Sequence, residues 1–176
     1  MKNSLRKKIK EIRKAFSGEE RTVNNQKICA NFLQNFSHFK SYFIYNSFGS
    51  EADTSGIVAT LLSKSKQIYM PKINNGEMLA TPLTGEFTKG AFGISEPVGD
   101  GYFGEIEVAV IPLLAVNNKG FRLGYGGGFY DRFLKGRQIV KVGIAFSFQH
   151  TEVSFEEEWD EPLDYLVTEN GVISFK

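Results

Sequence analysis

The stretch that decides the fold is Ile106–Leu134, "IEVAVIPLLAVNNKGFRLGYGGGFYDRFL". It opens on an apolar, β-branched run stopped by Pro112, the clearest core strand in the chain. It then places Gly124, Gly126, Gly127 and Gly128 within five positions, among two arginines, two tyrosines and an aspartate. It closes on Phe129, Tyr130, Phe133 and Leu134, an apolar set suited to a short helix over 129–135. Glycine weakens both helices and strands, so this density needs a cause. Either the segment is an unstructured linker, or its backbone comes close to a ligand.

The surrounding pattern argues against a linker. Leu5, Ile9, Ile12 and Phe16 recur at helical spacing, with the lysines on the outer face. Ser17 and Glu20 read as a capping box that opens a second helix towards Phe36. "SYFIYN" (41–46) is a buried strand, "IVATLLSKS" (57–65) a helix, and "QIYMPK" (67–72) a strand ending at Pro71. "EMLATPL" (77–83) is a strand or edge, and "GAFGISEPVGDG" (90–101) an excursion of low regularity. "IVKVGIAF" (139–146) and "DYLVTENGVISF" (164–175) supply the last strands. Strands alternating with helices predict an α/β protein, a single domain over residues 1–176, three-layered α/β/α with a largely parallel, mixed sheet. Such a sheet binds its ligand beyond the carboxyl ends of its strands.

In that frame the glycines occupy the turn between a strand and a helix, where α/β proteins bind phosphates on backbone N–H groups. Arg122 can add a bidentate contact to an anion. Asp131 can hold a metal ion beside it, because magnesium favours carboxylate and water oxygens. Established motifs do not fit. No Gly-Lys-Ser/Thr run exists in the chain, and Phe129 sits where a dinucleotide fingerprint needs its third glycine. "KGFRLGYG" departs from an RNA-recognition motif at Arg122 and Leu123. Spacing alone leaves phosphate binding and a purely structural glycine turn both open.

Composition excludes several classes. A net charge of +1 gives no argument for nucleic acid or a membrane surface, and no apolar run approaches the roughly 20 residues of a membrane span. One cysteine, Cys29, rules out a disulfide framework or a cysteine zinc cluster and suits a reducing cytoplasm. Residues 1–16 carry seven basic side chains against Glu11, with more lysines than arginines. They run straight into the next helix, so they read as structure and not as a targeting segment. At the other end, "TEVSFEEEWDEPLD" (151–164) holds seven carboxylates and no base. The two are either solvated faces or elements that meet around an anion and its metal. His38 and His150 read as surface or structural.

"GFRLGYGGGFYDRFL" resembles the signature of the 5-formyltetrahydrofolate cyclo-ligase family, Gly-x-Arg-Leu-Gly-x-Gly-x-Gly-Tyr-Tyr-Asp. Nearly the whole chain follows in the family's order: "KNSLR", "SEADT", "MPK", "GISEP", "VIPLLAV" and "WDEPLDYLVTE". Three departures stand out. Phe129 replaces the first tyrosine of the pair, Gly127 stands where many relatives carry lysine or arginine, and Trp159 replaces a common histidine.

The resemblance implies cyclisation of 5-formyltetrahydrofolate to 5,10-methenyltetrahydrofolate, with ATP split to ADP and phosphate in the presence of Mg2+. It implies that Lys2, Asn3, Ser4, Leu5 and Arg6 contact ATP, together with Arg122, Leu123, Gly124, Tyr125, Gly126, Gly127, Gly128, Phe129 and Tyr130. Glu51, with Asn46 near it, would hold the folate, bordered by Tyr125, Gly126, Gly127, Gly128 and Phe129. Asp131 and Asp160 would bind the metal, and Arg122, Tyr130 and Asp131 would carry the chemistry. The implied enzyme is a cytoplasmic monomer acting on a small folate, with or without a polyglutamate tail. Its rivals are a kinase or ligase for another small molecule on the same scaffold, a non-catalytic folate or nucleotide-binding module, and an RNA-binding protein.

Overall fold

The computed structural model describes residues 1–176. Two N-terminal helices, α1 (Lys2–Ala15) and α2 (Gly18–Phe36), precede β1 (Ser41–Ile44). Helix α3 (Ser55–Ser63) crosses over to β2 (Gln67–Asn74), which turns back through β3 (Glu77–Pro82). A ribbon of β4 (Phe87–Lys89) and β5 (Ser95–Pro97) leads to β6 (Val108–Ile111). Next come β7 (Ala115–Asn117), β8 (Arg122–Leu123) and the six-residue α4 (Phe129–Leu134). The chain ends with β9 (Val140–Ile144), β10 (His150–Thr151), β11 (Tyr165–Thr168) and β12 (Gly171–Ser174).

Seven strands form the main sheet in the order β12-β11-β9-β6-β1-β2-β3. The five inner strands are parallel, and β12 and β3 close the edges antiparallel. Strand periodicity explains why the inner strands read as continuous apolar runs: both faces are covered. Tyr42 and Ile44 of β1 and Val108 and Val110 of β6 pack with Ile28, Phe32 and Leu61 of α2 and α3. Their alternates Phe43, Ala109 and Ile111 face the other way, onto Phe133 and Leu134 of α4. The buried Tyr42 hydroxyl donates to the Phe36 carbonyl at 2.7 Å, so the ring fills the core without stranding its polar end. The result is a mixed α/β sheet with helices around it. No helix is long and apolar enough to cross a membrane.

Four details differ from expectation. Strand β2 runs through Pro71 to Asn74, because its pairing with β1 stops at Tyr69 and Pro71 needs to serve only β3. The run after Pro112 does not end as loop. It returns as β7 in a separate three-stranded sheet, β10-β7-β8, which lifts the glycine segment clear of the main sheet. Part of the 90–101 excursion is ordered as the β4–β5 ribbon. Ser17 does sit at the start of α2, but its side chain caps no N–H.

Candidate active site

Strand order predicts where a ligand belongs. From β1 the chain moves outward to β2 and β3, then returns to the opposite side of β1 as β6 and continues to β9. The switch point therefore lies between β1 and β6, and the crevice opens where the segments after them diverge. A cavity of about 1220 Å³ sits there, lined by Tyr45, Asn46 and Glu51 after β1 and by Pro112 after β6. The glycine segment, α1, the β4–β5 ribbon and the acidic C-terminal segment complete its walls.

The glycine wall is built by local backbone. Gly126 has φ +102° and Gly128 φ +65°, left-handed values that other residues adopt only with strain. Arg6 Nε donates to the Gly124 carbonyl at 2.9 Å, and Arg132 Nη1 to the Gly127 carbonyl at 3.0 Å. Both carbonyls are thereby occupied and the loop presents cations at its rim. Arg122 is buried on β8, with Nη2 donating to Asp131 Oδ1 at 2.7 Å. Its Nε has no partner within the chain, which is costly for a buried guanidinium unless a ligand supplies an acceptor. Tyr130 lies under the Arg122 guanidinium, 5.5 Å from ring centre to Cζ, and burial raises its phenol well above the usual value. Because α4 has only six residues, its dipole adds little; the loop and its arginines make the anion site.

A second wall centres on Glu51. Its Oε2 accepts from the Phe48 N–H at 2.9 Å and its Oε1 from the Tyr125 hydroxyl at 2.7 Å. Burial raises its carboxyl above the ordinary range, against the opposing pull of those hydrogen bonds and of Arg13. The Tyr125 phenol is raised by burial and by the Glu51 charge. Asn46 Nδ2 reaches the Ser95 carbonyl at 3.4 Å, joining the β1 loop to the ribbon. Phe92, at the ribbon's tip, has φ +60°, is 76% exposed, and meets Phe129 edge-on at 5.9 Å. Phe92 is thus held exposed at the cavity mouth in a left-handed conformation that few non-glycine residues adopt.

The two charged ends of the chain meet at this cavity. Lys2 Nζ lies 3.0 Å from Glu157 Oε1 and 3.8 Å from Asp160 Oδ2. Nine lysines and arginines line the cavity (Lys2, Arg6, Lys10, Arg13, Lys14, Arg21, Arg122, Arg132, Lys135) against five carboxylates, so it favours an anion. Asp131 and Asp160 both line it. No three side chains of metal-ligating type converge, so the protein offers carboxylates singly or in a pair. That donor set fits magnesium, which keeps waters and takes phosphate oxygens as its other ligands.

Of the residues singled out from sequence, Lys2, Arg6, Asn46, Glu51, Asp160 and all of Arg122–Asp131 line the cavity. Asn3, Ser4 and Leu5 do not: Asn3 Oδ1 accepts from Arg6 Nη1 at 2.7 Å, and Leu5 packs on a small apolar cluster with Phe155. Sequence reading missed Arg13. The helical pattern placed Ile12 inward, but Ile12 is 40% exposed and Arg13 is 4% exposed, since the cleft beneath α1 offers hydrogen-bond acceptors instead of apolar surface. Arg21, Phe92 and the apolar trio Pro71, Ile73 and Met78 were also missed. Only the exposed ribbon's clustered Gly-Ala-Phe-Gly hinted at any of them.

An open α/β sheet with an arginine-rich glycine loop at its switch point defines an enzyme that handles an anionic small molecule. Residues 1–169 match the model of the 5-formyltetrahydrofolate cyclo-ligase family, so the chain belongs to that family, an enzyme family of folate one-carbon chemistry. It is 31% identical to the 5-formyltetrahydrofolate cyclo-ligase of Escherichia coli K12, covering 93% of this chain and 98% of that protein. Against the Mycoplasma pneumoniae enzyme identity is 30%, over 96% and 98%. The solved 5,10-methenyltetrahydrofolate synthetase of Aquifex aeolicus superposes with a TM-score of 0.87 at 34% identity, covering 99% of this chain and 93% of that one.

Proposed function

We propose that the protein closes 5-formyltetrahydrofolate to 5,10-methenyltetrahydrofolate at this cavity, with ATP as co-substrate and Mg2+ as the metal. The observation that carries the reading is the buried, unpartnered Nε of Arg122, a residue that lines the same cavity as the glycine run, Asp131 and Glu51.

The formyl group is an amide-like carbonyl and resists attack by the neighbouring N10. Transfer of the γ-phosphoryl of ATP to the formyl oxygen turns that oxygen into a leaving group. N10 then attacks the formyl carbon and gives up its proton, the C–O bond breaks and the phosphate departs with that proton, leaving the methenyl cation and ADP. Positioning and charge stabilisation are what such a reaction asks of the protein. Arg122 neutralises charge on the transferring phosphoryl group while Tyr130 packs beneath its guanidinium. Gly124–Gly128 bring backbone close to the phosphates, and Lys2 and Arg6 hold the distal end of the nucleotide. Asp131 and Asp160 are the residues that would hold the metal, which neutralises phosphate charge when bound. Glu51 accepts N–H groups of the pterin, with Tyr125, Phe129 and Asn46 around it.

The same reading takes residues 1–169 and the remaining strand together as one catalytic domain (1–176), a cytoplasmic monomer acting on folates with one glutamate or several. The test is the ultraviolet absorbance of the methenyl product. A rise that needs folate, ATP and magnesium together supports the reading; none with bound folate would leave a binding module instead.

A further inference from the structure

Arg13 is a buried guanidinium with no carboxylate within salt-bridge distance, on the same helix face as Arg6. All three of its nitrogens are placed. Nε donates to Ser50 Oγ at 3.0 Å, Nη1 to the Leu113 carbonyl at 3.3 Å, and Nη2 to the Tyr125 hydroxyl at 2.7 Å. That hydroxyl in turn donates a hydrogen bond to Glu51 Oε1 at 2.7 Å. The nearest acid is thus reached through a phenol, and the residue before Glu51 is held by the same guanidinium.

We propose that Arg13 is a positioning residue for Glu51, the protein carboxylate that holds the folate: through Tyr125 and Ser50 it fixes where Glu51 points and keeps it a hydrogen-bond acceptor. This rests on the folate reading of Glu51 above. The planar fork explains why arginine serves here, because three acceptors lie in three directions from one group. Charge explains the rest. Glu51 is half-buried beside Tyr45, Tyr125 and Tyr130, none of which is cationic. Arg21 touches its backbone carbonyl at 2.8 Å, and Asp53 faces Arg21 from Glu51's own loop. Arg13 is the cation that acts on the carboxyl group itself and opposes the upward push of burial.

The experiment is folate binding by calorimetry and steady-state kinetics on R13M, R13K and Y125F, beside the wild-type chain. R13M is expected to weaken folate binding ~10- to 100-fold, the scale of a hydrogen bond to a charged group, with ATP KM within ~3-fold. The pH below which folate affinity falls moves upward in R13M, since Glu51 loses its cation. Y125F cuts the link and removes the hydrogen bond that most opposes the rise of the Glu51 carboxyl, so affinity falls and that pH moves upward as well. R13K recovers the pH behaviour but only part of the affinity. Equal loss for folate and ATP in R13M and Y125F alike, with a lower melting temperature, would make Arg13 merely structural and overturn the proposal. Should R13M not fold, Y125F decides alone: unchanged folate affinity overturns it. Wild-type protein that binds no folate would remove the functional reading, and this proposal with it; wild-type binding with unchanged R13M removes the proposal only.

Discussion

The glycine wall of the cavity comes from one continuous run, Arg122–Asp131, whereas the Glu51 wall draws on α1, the loop after β1, the glycine loop and the β4–β5 ribbon. In the first, neighbours in sequence are neighbours in space, and positive φ at Gly126 and Gly128 sets the shape. In the second, side chains 37 to 112 residues apart hold each other through hydrogen bonds. A wall of the first kind is sensitive to backbone and charge at a point. One of the second kind spreads its sensitivity over several partners.

The largest effect should follow Asp131→Asn. It preserves size and a contact to Arg122 while removing the charge and the metal-binding oxygen pair. Turnover should fall ~100- to 1000-fold, the scale of losing one electrostatic stabiliser of a transition state. Folate binding measured without ATP should stay within ~3-fold. A matched loss of folate binding would show that the two walls are not separable.

Glu51→Gln should show the reverse pattern, raising folate KM ~10- to 100-fold with little change for ATP. Its pH dependence follows from the raised carboxyl, caused first by burial. A folded-state value above the unfolded one means that the folded protein holds this proton more tightly. The contribution to stability is therefore present below the ordinary carboxylate range and lost as pH rises through the raised value. At neutral pH the ionised Glu51 is a net burden on stability, and Glu51→Gln should melt higher than wild type while binding folate worse. Folate affinity of wild type should fall as pH drops through the raised value, and the variant should lose that dependence. A variant that melts lower would mean the Tyr125 and Phe48 hydrogen bonds outweigh burial.

The contrast between the walls also explains what the sequence reveals. Apolar alternation in β1 and β6 announces a sheet covered on both faces, and the glycine run announces its own turn, because both signals are local. Arg13 could not be found that way. Its neighbour Ile12 matches the apolar period and Arg13 does not, yet the cleft beneath α1 is lined by a hydroxyl, a phenol and a carbonyl. Only the partners, which come from other elements, reveal that a guanidinium fits there. Pro71 misled for a related reason: a proline ends a strand paired on both sides but not one paired on one side.

Gly126→Ala tests the local wall at its backbone. A Cβ there would have room, with Arg6 at 3.7 Å, so φ +102° is the only obstacle. The strain is worth ~1–3 kcal/mol, to appear as lower stability, a higher ATP KM, or both. Folate binding in the absence of ATP should change little if the Glu51 wall is held independently.

Lys2→Ala should have the smallest effect and separates two readings of the chain's charged ends. Lys2 joins Glu157 at 3.0 Å, with its own side chain 27% exposed and that of Glu157 45% exposed. A pair so open to water is worth ~0–1 kcal/mol, so the melting temperature should barely move. If the lysine serves the nucleotide, ATP KM should nonetheless rise ~2- to 5-fold, and the difference from wild type should shrink as salt screens the charge. Glu157→Ala then supplies the opposite sign. It frees Lys2 from its partner, and ATP KM should hold or fall. Parallel losses in both variants would instead make the pair a structural tie between the helix and the acidic segment, because a tie is broken from either end and a ligand contact from one.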